Sequence, residues 1–261
     1  MKVGIIGCGN IGKELALFID KDRKFTLNYL FDINKKNISN LIKKINNNKP
    51  KIVSFESLIK NSDLIIESAN KEVVKKILKN RDIGKKKILF MSTGGLAENL
   101  DLLRKIKTSE IYLPSGAIAG LDAIKAVSGK IKTLEIITTK PIKGLEGAPF
   151  IIKNNINLKK INRKEIIFSG NLKEAIEGFP KNINVAATLF LASKFEGIKI
   201  KIIADPDAKI NTHEIVCSGN FGKITVKTEN LPSKNPKTSY IAILSAIQVL
   251  KNIKSNVKIG A

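Results

Sequence analysis

Lys2-Val-Gly-Ile-Ile-Gly-Cys-Gly-Asn-Ile-Gly12 decides the fold. Residues 3–6 are a short apolar run of the kind a buried strand uses. The chain then enters Gly7-Cys8-Gly9-Asn10-Ile11-Gly12, a G-x-G-x-x-G. Ile11, Leu15, Phe18 and Ile19 continue it with helical apolar spacing. A second apolar run, residues 27–31, ends in Asp32, about twenty residues past Gly12. Strand, glycine turn, helix, strand and acid in this order form a dinucleotide site. Gly7 lets the chain turn off the strand. Gly9 has no Cβ, so the backbone can approach a pyrophosphate. Gly12 lets the helix pack closely on the sheet. The free N–H groups at the helix start, around Asn10 and Ile11, face the phosphates together with the helix dipole. Asp32 is placed to accept hydrogen bonds from the adenosine ribose, which favours NAD.

Outward from this stretch, the same alternation continues. A helix with Leu41, Ile42 and Ile45 inward follows Ile33-Asn34-Lys35-Lys36. Residues 52–55 read as a short strand, 63–67 as the next, 71–80 as a helix with Val73, Val74, Ile77 and Leu78 inward, and 87–91 as a further strand. Residues 110–113 add one more. Strands alternating with helices predict a parallel sheet covered on both faces, a Rossmann domain. Ligands of such sheets lie beyond the carboxyl ends of the strands. Those ends are Gly7 to Gly12, Asp32, Ser68-Ala69 and Ser92-Thr-Gly-Gly95, all small, polar or acidic, and Ala69 joins the cofactor contacts. Lys35 and Lys36 stand where the 2′-phosphate of NADP would sit, so both cofactor forms stay open.

Past Pro114 the pattern changes. Ser115-Gly-Ala-Ile-Ala-Gly120 is crowded with small residues at a strand end. Residues 133–139, 166–171, 198–204, 212–217 and 221–228 read as strands, with helices at 172–177 and 182–192. A run of strands without intervening helices predicts a separate α+β domain with a mixed or antiparallel sheet. Asn235-Pro236 reads as an N-cap with Pro at the first helical position. The helix it starts carries a stripe of Ser239, Ala242, Ser245, Ala246 and Val249, expected to pack back on the first domain. The expected division is 1–112 with 235–261 for the dinucleotide-binding domain, and 113–234 for substrate binding, catalysis and oligomerisation.

The chain has 261 residues and a formal net charge of +23. The excess is nearly all lysine, with Arg23, Arg81, Arg104 and Arg163 as its arginines, and it is spread along the whole chain. Arginine is the residue for bidentate phosphate and base readout. The pattern therefore predicts solvated lysine faces and no nucleic-acid partner, although such a field draws in a small anionic substrate. Cys8 and Cys217 are too far apart in sequence for metal-ligand spacing, so neither a disulfide framework nor a metal site is expected. The N-terminus enters a strand at once, and the longest apolar run, residues 241–250, is too short to span a bilayer. A cytoplasmic protein with no membrane partner is expected.

A nicotinamide cofactor supplies hydride chemistry, and the protein has to bind and orient the substrate and move a proton. The chain contains one histidine, His213, in Asn211-Thr-His-Glu-Ile215. An unperturbed imidazole titrates near ~6.5, suited to general-base work. A single histidine at a strand start is more often a surface residue.

Five stretches together resemble the L-aspartate dehydrogenase family. They are Gly7 to Gly12; Ser115-Gly-Ala-Ile-Ala-Gly-Leu-Asp-Ala-Ile124; Phe179-Pro-Lys-Asn-Ile-Asn-Val-Ala-Ala-Thr188; Ala204-Asp-Pro with Asn211-Thr-His-Glu-Ile215 and Gly219-Asn-Phe-Gly222; and Asn235-Pro-Lys-Thr-Ser239. The resemblance implies oxidation of L-aspartate with NAD or NADP to iminoaspartate, which hydrolyses to oxaloacetate and ammonia or feeds NAD biosynthesis. It implies a homodimer or larger homo-oligomer. It implies that His213 is the catalytic histidine and that Ala117 and Asn184 contact the cofactor near the nicotinamide, with Ser115 and Gly116 close by as substrate contacts. Lys181, Asn182 and Thr212 are candidate carboxylate binders, because two carboxylates need several donors. The charge and the pair Asn70-Lys71 depart from the family's pattern, which bears on the preferred cofactor form. Two other readings compete. One is a dehydrogenase of similar build, such as homoserine dehydrogenase or a cyclic-imine reductase. The other is a cofactor-sensing or nucleic-acid-binding protein with an inactive Rossmann domain.

Overall fold

The computed structural model describes residues 1–180, 183–233, 239–257 and 259. The chain divides into two compact units, Met1–Pro114 with Ile243–Val257, and Ser115–Ala242.

The first unit begins with β1 (Lys2–Ile6), α1 (Asn10–Lys21), β2 (Thr26–Phe31), α2 (Lys35–Ile42), β3 (Lys51–Ile52), α3 (Phe55–Asn61), β4 (Leu64–Glu67) and α4 (Lys71–Lys79). It continues through β5 (Lys87–Phe90), α5 (Thr93–Ala97), α6 (Leu100–Arg104) and β6 (Glu110–Tyr112). The six strands lie in the order β3-β2-β1-β4-β5-β6, and all their pairings are parallel. The direction of strand order reverses between β1 and β4, the switch point beside which such sheets bind dinucleotides. Leu64, Ile65 and Ile66 are fully buried on both faces of the sheet, which is why this strand reads as a continuous apolar run.

Two local expectations are corrected. The strand expected at 52–55 is only Lys51–Ile52, because Ser54 caps a helix instead: its side chain accepts from the Ser57 N–H, and Phe55 opens α3. In α2 the inward residues are Ile38 and Leu41 and Ile42 is exposed, while Ile45, past the helix end, does pack against the core. On an eight-residue helix, a face shifted by one position turns Ile42 to solvent.

The second unit contains α7 (Leu121–Ala126), β7 (Ile131–Pro141), α8 (Pro149–Lys153), β8 (Glu165–Gly170), α9 (Leu172–Gly178), α10 (Asn184–Ser193), β9 (Lys199–Asp205), β10 (Asn211–Gly219) and β11 (Gly222–Asn230). Its sheet runs β11-β10-β7-β9-β8. Only the β7–β9 pairing is parallel, so the sheet is mixed. Phe150, Phe168 and Phe179 form a ring cluster with centroids 5.1–5.4 Å apart, which ties α8, β8 and the end of α9 together.

α11 (Tyr240–Ile253) ends the described fold. The Asn235-Pro236 start proposed for it lies outside the described residues. Ala246 and Leu250 belong to the same buried core as Val3, Ile5, Leu15, Ile19 and Leu30. The helix therefore returns to the first unit, but its buried residues are Ile243, Ala246 and Leu250 rather than the whole small-residue stripe. Leu250→Ala should lower unfolding free energy by about 2–5 kcal/mol, the cost of a core cavity. Denaturant unfolding with an unchanged midpoint would place this helix outside that core.

Candidate active site

The turn after β1 is held by backbone contacts that exclude side chains. Gly7 has φ +93°, the left-handed region, and its N–H donates to the Phe31 carbonyl at 2.8 Å. A Cβ on Gly7 would lie 2.7 Å from the Ser68 carbonyl carbon and oxygen. A Cβ on Gly12 would overlap the carbonyl oxygen of Gly7. The Ser68 hydroxyl donates to that same oxygen at 2.8 Å. Gly9 differs: a Cβ there would meet nothing within 4 Å. Gly9 is also the N-cap of α1 and supplies no side chain to the first-turn N–H groups. Those N–H groups and the open space beside Gly9 fit a pyrophosphate. Asn10 and Ile11 are the first two residues of the helix.

Asp32 leaves the end of β2 and points back at this turn. Its carboxylate accepts from the Cys8 N–H (2.7 Å), the Asn34 N–H (2.7 Å) and the Asn37 side-chain amide (3.1 Å). Two carboxylate oxygens offer roughly four acceptor positions, so one is left for a ribose hydroxyl. Burial, with the Asp32 charge beside it, pushes the Cys8 thiol up to about 12, so this cysteine is a neutral filler of the turn. Ala69 follows the end of β4, and its N–H donates to Glu67 at 2.8 Å. Gly7, Gly9, Asn10, Ile11, Gly12, Asp32 and Ala69 thus gather at the carboxyl ends of β1, β2 and β4.

Glu67 is a residue that sequence reasoning placed only as a strand end. It is fully buried and also accepts from the Ser92 N–H (3.0 Å) and the Ser92 hydroxyl (2.9 Å). Burial raises its pKa, opposed by these hydrogen bonds. One carboxylate therefore ties the loop after β4 to the loop after β5.

In the second unit, β10 carries His213 on the buried face, 4% exposed, together with Ile215 and Cys217. Register sets its neighbours: His213 lies opposite Thr138 on β7 and Thr228 on β11. His213 Nδ1 and the Thr138 hydroxyl are 3.0 Å apart. Burial, and then the nearby Lys140 charge, lower the imidazole to about 3, so the ring is neutral at ordinary pH. Lys140, two residues along β7 on the same face, is itself lowered to about 8 by burial. Sequence reasoning missed Thr138 and Lys140, because strand register is not written in either strand alone.

The same face holds the loop of small residues. The Ala117 carbonyl accepts from the Thr228 hydroxyl (2.9 Å) and the Asn230 side-chain amide (3.0 Å). Ala117, with Ser115 and Gly116 before it, is thereby fixed to the strand that flanks His213. Gly116 and Gly120 adopt left-handed conformations, which only glycine takes readily, and they shape this loop. Asn184 is the first residue of α10 and is exposed. Thr212 is not brought to His213: successive strand residues face opposite ways, and Thr212 pairs with Thr139 and Glu229 on the other face. Lys181 and Asn182 lie outside the described residues. Among the described residues, no group of His, Cys, Asp and Glu could hold a metal ion, and no helix is long and apolar enough to cross a membrane.

Two expected outcomes follow from this geometry. Gly9→Ala should keep the wild-type melting temperature and weaken cofactor affinity about tenfold, whereas Gly12→Ala should unfold at lower temperature. Equal melting losses in both would remove Gly9 from the cofactor surface. The second concerns acid. An imidazole lowered to about 3 from the usual 6.5 gives stability that is present above pH 6.5 and is lost as pH falls toward 3. His213→Gln should therefore lose about 2–3 kcal/mol less than wild type between pH 6.5 and 4 in denaturant titrations. Parallel curves would mean that the ring is not buried neutral.

The chain matches two family models, "Aspartate dehydrogenase, C-terminal" over residues 122–253 and "Dihydrodipicolinate reductase, N-terminus" over residues 1–114. It is 40% identical to the L-aspartate dehydrogenase of Methanosarcina mazei over 269 aligned residues, covering 100% of this chain and 99% of the relative. It is 40% identical to that of Nitrosopumilus maritimus, covering 99% of each. Among solved structures, aspartate dehydrogenase from Thermotoga maritima superposes with a TM-score of 0.74 at 28% identity, covering 99% of both chains. A hyperthermophilic archaeal homoserine dehydrogenase superposes with a TM-score of 0.57 at 12% identity, over 97% of this chain and 98% of that one, a likeness of fold alone. With an N-terminal parallel sheet in dinucleotide-binding order, one buried histidine on a mixed sheet, and full-length identity at this level, the chain belongs to the L-aspartate dehydrogenase family.

Proposed function

We propose that this protein oxidises L-aspartate with NAD or NADP, giving iminoaspartate and then oxaloacetate and ammonia. The observation that carries the reading is full-length identity of about 40% to L-aspartate dehydrogenases, joined to a buried neutral histidine in the second unit. The first unit, extended by the final helix, is the dinucleotide-binding domain, and the rest binds substrate. Gly7, Gly9, Asn10, Ile11, Gly12, Asp32 and Ala69 hold the adenosine and pyrophosphate portions, and Ala117 and Asn184 contact the nicotinamide portion. A bound nicotinamide cofactor supplies the hydride acceptor.

The chain's own groups do the rest. The aspartate amine has to be unprotonated before Cα–H can leave as hydride. A neutral imidazole can take that proton, or later position the water that attacks the imine. The Thr138 hydroxyl can donate to Nδ1 or accept from it, and in the tautomer where Nδ1–H donates to Thr138, Nε2 is the basic nitrogen. A ring held at about 3 is a weak base, and a dianionic substrate beside it raises its basicity by opposing the Lys140 charge. Ser115 and Gly116 lie next to Ala117 and serve as substrate contacts. Lys181, Asn182 and Thr212 remain candidates for the carboxylates, Thr212 only if substrate also touches the opposite sheet face.

The same proposal includes a homodimeric, cytoplasmic enzyme whose product feeds NAD biosynthesis, with neither nucleic acid nor membrane as partner. Initial rates followed at 340 nm with L-aspartate and each cofactor test the activity. Turnover of homoserine with none of aspartate would replace it with the homoserine reading. His213→Ala should lower kcat on the order of 10²–10⁴-fold in folded protein. Near-normal turnover in that variant would remove His213 from catalysis. Asp32→Ala should weaken NAD binding about tenfold or more, and an unchanged affinity would take Asp32 off the ribose.

A further inference from the structure

Among the described residues, Lys140 is a buried cation with no acidic partner. It is 8% exposed, and its described polar contact is the Asn211 side-chain oxygen at 3.5 Å, a long and weak hydrogen bond. Alternation and register fix what shares its face. Lys140 and Thr138 stand on β7, His213 and Asn211 on β10, Ala204 and Ile202 on β9, Thr228 and Asn230 on β11. The acids of these four strands, Glu135, Asp205, Glu214 and Glu229, all fall on the opposite face. Glu165 is exposed at the start of β8, two strands away from β7. Ala204, beside Lys140 on β9, brings only a methyl group.

Burying an ammonium without a counter-ion is expensive, and a fold retains one where a ligand supplies the missing charge. The other polar groups on this face already have partners. Thr138 meets His213, and Thr228 and Asn230 both clamp the Ala117 carbonyl. One buried acceptor on this face, Asn230 Oδ1, has no hydrogen-bond partner among the described residues. An orphan cation and an orphan acceptor beside the lone imidazole are a surface made for a ligand that carries both an anion and a donor.

We propose that Lys140 is a specificity-determining residue, binding one carboxylate of a dicarboxylate substrate on the sheet face that carries His213. The inference rests on the reading of the chain as an L-aspartate dehydrogenase. It adds to the candidate Lys181 a second substrate-binding cation, one that lies in none of the sequence stretches named above. Lys140 holds the substrate and itself transfers neither proton nor hydride, so its removal acts on substrate affinity more than on turnover.

The test uses full-length Lys140→Met, with Lys140→Gln as a second variant. Methionine removes the charge and keeps the stem, so folding is expected to be maintained or improved. Binding of succinate, a non-reactive dicarboxylate, is titrated calorimetrically into enzyme saturated with NADH, beside steady-state kinetics with L-aspartate. The expected result is that the succinate Kd and the L-aspartate KM both rise about 30-fold or more, kcat changes much less, and NADH affinity stays at its wild-type value. Succinate affinity within about threefold of wild type in the folded variants overturns the proposal and leaves Lys140 a structural residue. A loss confined to kcat overturns it too, in favour of a proton-handling role. Wild-type enzyme that oxidises no L-aspartate with either cofactor overturns the functional reading itself, and this inference falls with it.

Discussion

The first unit depends on one close approach of backbone to backbone. The turn after β1 lies against residues 68 and 69 after β4, with no room for a side chain at Gly7 or Gly12. That contact joins the two strands between which the sheet order reverses. Other groups then reinforce the same edge from both sides. Asp32 ties the turn to the end of β2, and Glu67 ties the loop after β4 to the loop after β5. Both acids have their oxygens committed mainly to backbone N–H groups, so each orders a loop as well as carrying charge. Of the three glycines in the turn, Gly7 and Gly12 are closed in and Gly9 alone has open space where a Cβ would stand.

The second unit is organised by electrostatics on an otherwise apolar sheet face. Ile136, Ile200, Ile202, Ile215 and Cys217 make that face a hydrophobic core. Into it the strands bring an imidazole, an ammonium, two threonine hydroxyls and two carboxamides. Desolvation acts on both bases in the same direction, toward their neutral forms, and the Lys140 charge further disfavours the imidazolium. A bound dianion reverses that balance.

Much of this was legible in the sequence, because the first unit is specified locally. Its strand, glycine turn, helix and acid lie within the first 32 residues, and each type of residue has one physical task there. Where the chain is short and weakly patterned the reading slipped. Residues 52–55 look like a strand by composition, but a serine cap claims Phe55 for a helix. The site in the second unit was half legible. His213 stood out as the only histidine, and Ala117 through the small-residue stretch around it. Thr138 and Lys140 could not stand out, since Thr138-Thr-Lys140 is an unremarkable strand end until register lays it beside β10. Thr212 illustrates the converse: adjacency in sequence to His213 means opposite faces in a strand. Glu67 was visible as a strand end, but its role needed the Ser92 loop brought next to it in space.

The claim at the centre is that hydride leaves the α-carbon of L-aspartate for a nicotinamide carried by this chain. The most direct measurement supplies L-aspartate deuterated at C2, with NAD and with NADP, and follows the label by mass spectrometry. The account predicts one deuterium in the reduced nicotinamide for each ammonia released. Ammonia release with no deuterium in either cofactor, or no reaction with either, would contradict it.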